Sequence, residues 1–144
     1  MIVVANCLRA PRDLGAWIEQ MFGLVPPTID GVSGFRELHL RKVEPEETDC
    51  VYVDLTVWED RSFFEDWRIS KAFEDAHAQA REHHEKFRLL HPLRYIFDIS
   101  LSLDVELLDS LLIERLSKDY PRGVSPHSRF HEVLAIVPDV SSLR

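Results

Sequence analysis

The chain has 144 residues, of which 45% are apolar and 29% are charged, and its 25 acidic and 17 basic side chains give a formal net charge of -8. This length fits one domain, and the composition excludes an intrinsically disordered chain and a membrane-spanning one. The excess of acidic over basic side chains disfavours binding to a nucleic-acid backbone. The first residues lack the basic lead of a signal peptide, so we expect a cytoplasmic protein with no nucleic-acid or membrane partner.

Hydrophobic periodicity predicts an α+β domain. The predicted elements are, in chain order, a strand at 2–8, a helix at 12–22, strands at 35–41 and 50–58, short helices capped by Asp60 and Ser70, a strand at 94–103, a helix at 105–116 capped by Asp104, and a strand at 129–137. Residues 44–47 form a solvated turn in this interpretation. The first strand is apolar on both alternating faces except at Asn6, which is typical of a strand covered on both sides.

Three side chains in these elements could carry chemistry. Asn6 is the polar exception in the first strand, Trp67 lies on a predicted helix, and His77 shares an apolar stripe with Phe73 on the next helix. Taken singly, each residue is ordinary, because a histidine on an apolar face is more often a core residue than a ligand. The two cysteines do not have the sequence spacing of zinc ligands. We expect both of them to be buried thiols.

The segment 55–77 favours a functional interpretation of these residues, because it resembles the signature of the IsdG-type haem-degrading monooxygenases. These belong to the antibiotic biosynthesis monooxygenase superfamily of ferredoxin-like, dimeric α+β barrels. Asn6 stands where the haem-degrading members carry a pocket asparagine, whereas the neighbouring Cys7 departs from their pattern. The resemblance covers about residues 1–103. The residues that match the signature in order and without a gap are Leu55, Thr56, Trp58, Phe64, Trp67, Ser70, Phe73, Ala76 and His77.

The resemblance implies a role for each matching site residue. His77 would be the axial ligand to the haem iron, and Asn6 would donate a hydrogen bond beside the distal ligand. Trp67 would press on the porphyrin, and Phe73 would contact it. Haem would be both the substrate and the group that activates O2, and ring opening would release iron. Rival ligands are His83 and His84, and candidate cations for the propionates are Arg12, Arg81 and Arg88.

Since the sequence contains no nucleotide-binding loop, a separate reductase or a small reductant would supply electrons. Two alternatives remain open: a cofactor-free monooxygenase acting on a quinol or polyketide-like aromatic, and a non-catalytic haem-binding module. We expect a ferredoxin-like α+β barrel domain at residues 1–103 and a helix-plus-strand extension at 104–144. A four-stranded sheet with helices on one side leaves an apolar face open, and we expect a homodimer to close it.

Overall fold

The computed structural model describes residues 1–23, 29, 31–44, 49–75, 93–100, 102–120 and 123–137. The strands are β1 (Ile2–Pro11), β2 (Phe35–Glu44), β3 (Asp49–Trp58), β4 (Leu93–Asp98) and β5 (Arg129–Ile136). They form one antiparallel sheet in the order β4-β1-β3-β2-β5. The helices are α1 (Gly15–Gly23), α2 (Arg61–Arg68) and α3 (Val105–Asp119). This architecture confirms the predicted ferredoxin-like α+β fold.

A few shorter features complete the description. A 3-10 turn, Arg12–Leu14, precedes α1, and residues 71–75 are helical. Within the described ranges, none of the helices combines the length and the apolar character needed to cross a bilayer.

Strands β1 and β3 lie side by side in the interior of the sheet and are buried on both faces. The sequence predicts this two-sided burial for β1. Because strand side chains alternate, Val3 and Leu55 point to one face, whereas Val4 and Trp58 point to the other. All four are 0% exposed. We call the second face the α1/α2 face, because α1 and α2 cover it.

Two apolar clusters stabilise the α1/α2 face. One forms around Tyr52 of β3, against which Ile18 of α1 packs. The other forms around Trp58, whose ring centroid lies 6.0 Å from that of Phe64 on α2. The two clusters lie toward opposite ends of β3, and polar side chains occupy the register positions between them.

The opposite face of the sheet is covered by α3, so we call it the α3 face. Leu108, Leu112 and Leu116 follow one another at four-residue spacing and are 4%, 0% and 0% exposed against the sheet. The prediction that this face stays open is therefore wrong, because the extension of the same chain buries it. The homodimer that was inferred from the open face loses its physical reason.

An ionic cluster fastens the extension to β2. The Arg41 guanidinium donates to Asp109 of α3, and it donates to Glu132 of β5 over 2.9 Å. Glu132 also bonds the ring of His39 over 2.7 Å. The extension thus supplies a fifth strand to the sheet and a helix to the core.

Some strands and helices begin or end at other residues than predicted, because tertiary contacts determine where they stop. Strand β4 ends at Asp98 and does not reach 103, because its partner β1 begins opposite at Ile2. Ser70 and Asp104 cap helices as predicted, each accepting a backbone N–H over 3.1 Å. Asp60 precedes α2, but its side chain accepts no capping hydrogen bond. Of the predicted turn, residue 44 ends β2 and residues 45–47 lie outside the described ranges.

Gly34 adopts a conformation that suits glycine at the turn before β2. Its φ angle is +79°, and a β-carbon there would lie 2.2 Å from Cγ of Phe63. Its carbonyl accepts a hydrogen bond from the backbone of Glu59 over 2.8 Å. The absence of a side chain therefore lets α2 pack directly on this turn.

Candidate functional site

Three polar side chains form a row across the α1/α2 face, between its two apolar clusters. Asn6 of β1 is paired in register with Asp54 of β3 on one side and with Arg94 of β4 on the other. The Asn6 amide nitrogen donates to Oδ1 of Asp54 over 3.1 Å, and Nε of Arg94 donates to Oδ1 of Asn6 over 2.8 Å. We call this arrangement the Arg94–Asn6–Asp54 row.

Asp54 has unusual electrostatics for a carboxyl group. Burial raises the pKa of Asp54 to about 7, although the hydrogen bond from Asn6 and the charge of Arg94 both act to lower it. A group with this pKa gains and loses its proton near neutral pH. The row therefore contains an acid–base group suited to proton transfer.

Arg94 is the exposed end of the row. Its guanidinium carbon lies 5.5 Å from the ring centroid of Phe64, at cation–π distance. Among the described residues its hydrogen bond goes from Nε to Asn6, and the N–H groups of the two terminal nitrogens can bind a further acceptor. Arg94 thus connects the polar row to the aromatic side chains of α2.

Trp67 and Phe73 lie together on the same face of the sheet as this row. Trp67 is 7% exposed, and its ring meets that of Phe73 edge to face, with centroids 5.7 Å apart. Ser70 fixes the junction, since its hydroxyl donates to the Trp67 carbonyl over 2.7 Å and accepts from the Phe73 backbone N–H. The cluster that contains Trp67 also contains Phe64, on which Arg94 stacks.

Three of the four residues predicted for the site lie on the same face of the sheet. Asn6, Trp67 and Phe73 all belong to the α1/α2 face. The fourth, His77, lies outside the described residues, as do the rival ligands at 83 and 84 and the candidate cations at 81 and 88. Arg12 lies in the 3-10 turn that follows β1, whereas Arg94 bonds Asn6 itself.

Cys7 does not belong to this site, although it follows Asn6 in sequence. It points to the α3 face, where it is 0% exposed. Burial raises the pKa of its thiol, so the thiol stays protonated. Cys50 is likewise buried with a raised pKa, and it packs near α1. Both cysteines are free buried thiols, as predicted.

Sequence reasoning missed Asp54 and Arg94. Asp54 is the one charged residue from Cys50 to Trp58, and it shares a face with Tyr52, Thr56 and Trp58. That exception was a usable signal for a polar site, similar to the one at Asn6. Arg94 gave no local signal, because its position beside Asn6 depends on the pairing of strands about ninety residues apart.

A family model described as antibiotic biosynthesis monooxygenase matches residues 1–79. No curated protein matches the chain. Among solved structures, the haem degrader MhuD from Mycobacterium tuberculosis, with two haems bound in its active site, matches with a TM-score of 0.50 at 19% identity, over 72% of this chain and 100% of that one. SnoaB, a cofactor-independent oxygenase from Streptomyces nogalater, matches with a TM-score of 0.51 at 19% identity, over 71% and 96%. At these identities the likeness shows the fold alone.

Proposed function

Because the chain belongs to the antibiotic biosynthesis monooxygenase family, we propose that it is an oxygenase that degrades haem. The observation that carries this proposal is the position of Asn6, Trp67 and Phe73 on one face of the sheet. These are residues to which the resemblance with haem-degrading monooxygenases assigns the pocket. The solved haem degrader and the cofactor-independent oxygenase share this fold, so the fold does not choose between them.

Each residue has a distinct proposed role. His77 holds the iron through its imidazole, and it follows Phe73 by four residues, a spacing that on a helix places two side chains on the same side. Asn6 would offer an uncharged amide donor to the bound substrate. Trp67 and Phe73 provide the aromatic wall against which the porphyrin lies.

The described side chains fit such a substrate. The half-buried ring of Phe73 leaves apolar surface for a flat macrocycle, and the exposed guanidinium of Arg94 supplies a cation on the same face of the sheet. Haem supplies the O2-activating chemistry when it is bound and reduced. In this proposal a separate reductase or a small reductant supplies the electrons. The proposal also places the protein in the cytoplasm.

Absorbance titration with hemin tests the proposal. We expect a Soret band that saturates near one equivalent and is lost when ascorbate and O2 are added. His77→Ala should abolish this loss, whereas the matched control His127→Ala, at an exposed position, should behave as the wild type does. A wild-type protein that does not bind hemin would refute the proposal. Stable binding without loss of the band would favour a non-catalytic haem-binding module.

A second candidate function is favoured by the carboxyl group of Asp54. Its pKa of about 7 and its contact with Asn6 suit it to accept the acidic proton of a quinol or polyketide-like aromatic, which makes that substrate electron-rich toward O2. The hypothesis of a cofactor-free monooxygenase predicts that haem-free protein takes up O2 in the presence of a phenolic substrate. Asp54→Asn should abolish that uptake, since an amide cannot accept the proton.

A further inference from the structure

The Arg94–Asn6–Asp54 row distinguishes the two ends of the Asn6 amide. The carboxylate of Asp54 accepts from the amide nitrogen, and Arg94 donates to the amide oxygen. A flipped amide would place its oxygen against the carboxylate and its NH2 group against the guanidinium, so both hydrogen bonds would be lost. Arg94, together with Asp54 when it is ionised, therefore holds Asn6 in a single orientation.

We propose that the exposed guanidinium of Arg94 binds an anionic oxygen of the substrate beside Asn6, while Asp54 and Arg94 together orient the Asn6 amide. This inference rests on the proposed function and identifies the substrate as a flat aromatic that carries an acidic oxygen. A haem propionate and the phenolate of a polyketide-like aromatic share this chemistry. Arg94 is the binding residue, and Asp54 is a positioning residue.

Geometry supports the anion site in two ways. The contact with the buried ring of Phe64 holds the exposed guanidinium of Arg94 in place beside Asn6. The terminal nitrogens can pair with a carboxylate in the two-pronged geometry that favours arginine over lysine. In addition, Asp54 is only partly ionised at neutral pH, because burial raises its pKa to about 7. It therefore offsets only part of the positive charge of Arg94.

Titrations with hemin and with hemin dimethyl ester, followed by absorbance, test the role of Arg94. Arg94→Gln should weaken hemin binding about tenfold, and it should leave the ester, which lacks ionised propionates, unaffected. The matched control is Arg115→Gln, an exposed arginine that also stacks on aromatic rings but lies on the α3 face. Equal hemin affinity in wild type and Arg94→Gln would overturn the proposal for propionates.

The same proteins separate this inference from the proposed function. If the wild type does not bind hemin, the proposed function fails, and titration with a hydroxyanthraquinone then tests Arg94 by itself. Weaker binding of that phenolate by Arg94→Gln supports the anion site. Equal binding of the hydroxyanthraquinone by Arg94→Gln and the wild type overturns the anion site as well.

The positioning role of Asp54 requires a different readout. Asp54→Asn keeps an oxygen that can accept from Asn6, whereas Asp54→Leu removes the acceptor. We expect Asp54→Leu to lower kcat for haem loss about tenfold with hemin affinity unchanged, and Asp54→Asn to retain most of the wild-type kcat. Equal kcat in the leucine variant would overturn the positioning role. Abolition by the asparagine variant would do the same, because it would show that proton transfer is needed.

A second inference follows from an independent feature, the packing of α3. Contacts fasten this helix near both sides of the sheet, through Arg41 to Asp109 on the β2 side and through the Tyr95 hydroxyl to Asp119 on the β4 side. Leu112 at its centre is 0% exposed. We infer that the extension takes the place of a second copy on this face and keeps the protein monomeric.

Light scattering on the full chain at micromolar concentration tests this inference. We expect a particle of 16.8 kDa, and a stable particle of twice that mass would overturn the inference. Leu112→Asp should dislodge α3 and produce larger particles that bind an apolar dye. The matched control Leu107→Asp, at a position that is 60% exposed on the same helix, should stay monomeric. A Leu112→Asp variant that stays monomeric and binds no dye would count against the role of α3.

Discussion

Asn6 and Asp54 face each other directly across β1 and β3, and the amide of Asn6 donates to the carboxylate of Asp54 over 3.1 Å. A carboxyl group at the centre of a sheet is costly, because burial disfavours its ionised form. A leucine there would extend the apolar clusters on either side. A group that costs stability and contacts a candidate site residue is expected where function, and not packing, decides the side chain.

The cost of Asp54 should appear in the pH dependence of stability. Its pKa of about 7 in the folded protein exceeds that of an unfolded aspartate, so the folded state binds the proton more tightly. The free energy of unfolding should therefore fall as pH rises from about 4 to about 7. In urea unfolding at pH 5 and pH 8, we expect this loss to be about 2–3 kcal/mol larger for the wild type than for Asp54→Asn. Parallel losses in the two proteins would contradict the assignment.

Arg41 should matter more to stability than an ordinary surface arginine. It binds Asp109 and Glu132 together and is largely covered, so Arg41→Met leaves two carboxylates near each other without their cation. We expect a loss of about 2–3 kcal/mol in urea unfolding. The control Arg36→Met removes an exposed pair with Glu59 and should cost less than about 1 kcal/mol. Similar costs for the two variants would show that the cluster does not secure the extension.

Gly34 and Gly31 form a matched pair, because both have a φ angle of +79° and differ in the space around them. Alanine at Gly31 meets no atom of the described residues within 4 Å and should cost about 1 kcal/mol of backbone strain. Alanine at Gly34 adds a clash with the Phe63 ring, so its cost should exceed about 2 kcal/mol. Thermal unfolding of the two variants measures the difference. Equal melting temperatures would mean that α2 moves away freely.

Trp67 should be replaceable by phenylalanine without loss of the fold. The smaller ring keeps part of the contact with Phe73, so Trp67→Phe should cost about 1–2 kcal/mol, whereas Trp67→Ala should cost about 3–5 kcal/mol. If the indole presses on the porphyrin, Trp67→Phe should also slow haem loss about tenfold at nearly unchanged hemin affinity. An unchanged rate would restrict Trp67 to a packing role.

Much of the fold could be predicted from sequence because its periodicities are strong. β3 was predicted to within one residue, and α3 was predicted together with its cap at Asp104. The sequence also showed that α3 is amphipathic. It did not show which surface the apolar side covers, since that depends on the volume left above the sheet and on contacts such as the one between Arg41 and Asp109.

Only part of the candidate site could be predicted from sequence, because only part of it follows from local patterns. Asn6, Trp67 and Phe73 were identified by a local pattern, because each is unusual or matches a motif in its own segment. The partners of Asn6 come from strands near residues 54 and 94, and strand register brings them together. No short window of sequence contains that information.

The position of α3 also has a consequence during synthesis on the ribosome. Strands β1 to β4 are complete at Asp98, but the helix that buries Val53 and Leu55 is made afterwards. Until then the nascent chain exposes an apolar sheet surface and the unpaired edge of β2. Such a chain tends to aggregate or to bind chaperones. Translation speed through the codons for α3 and β5 should therefore influence how much of the chain folds correctly.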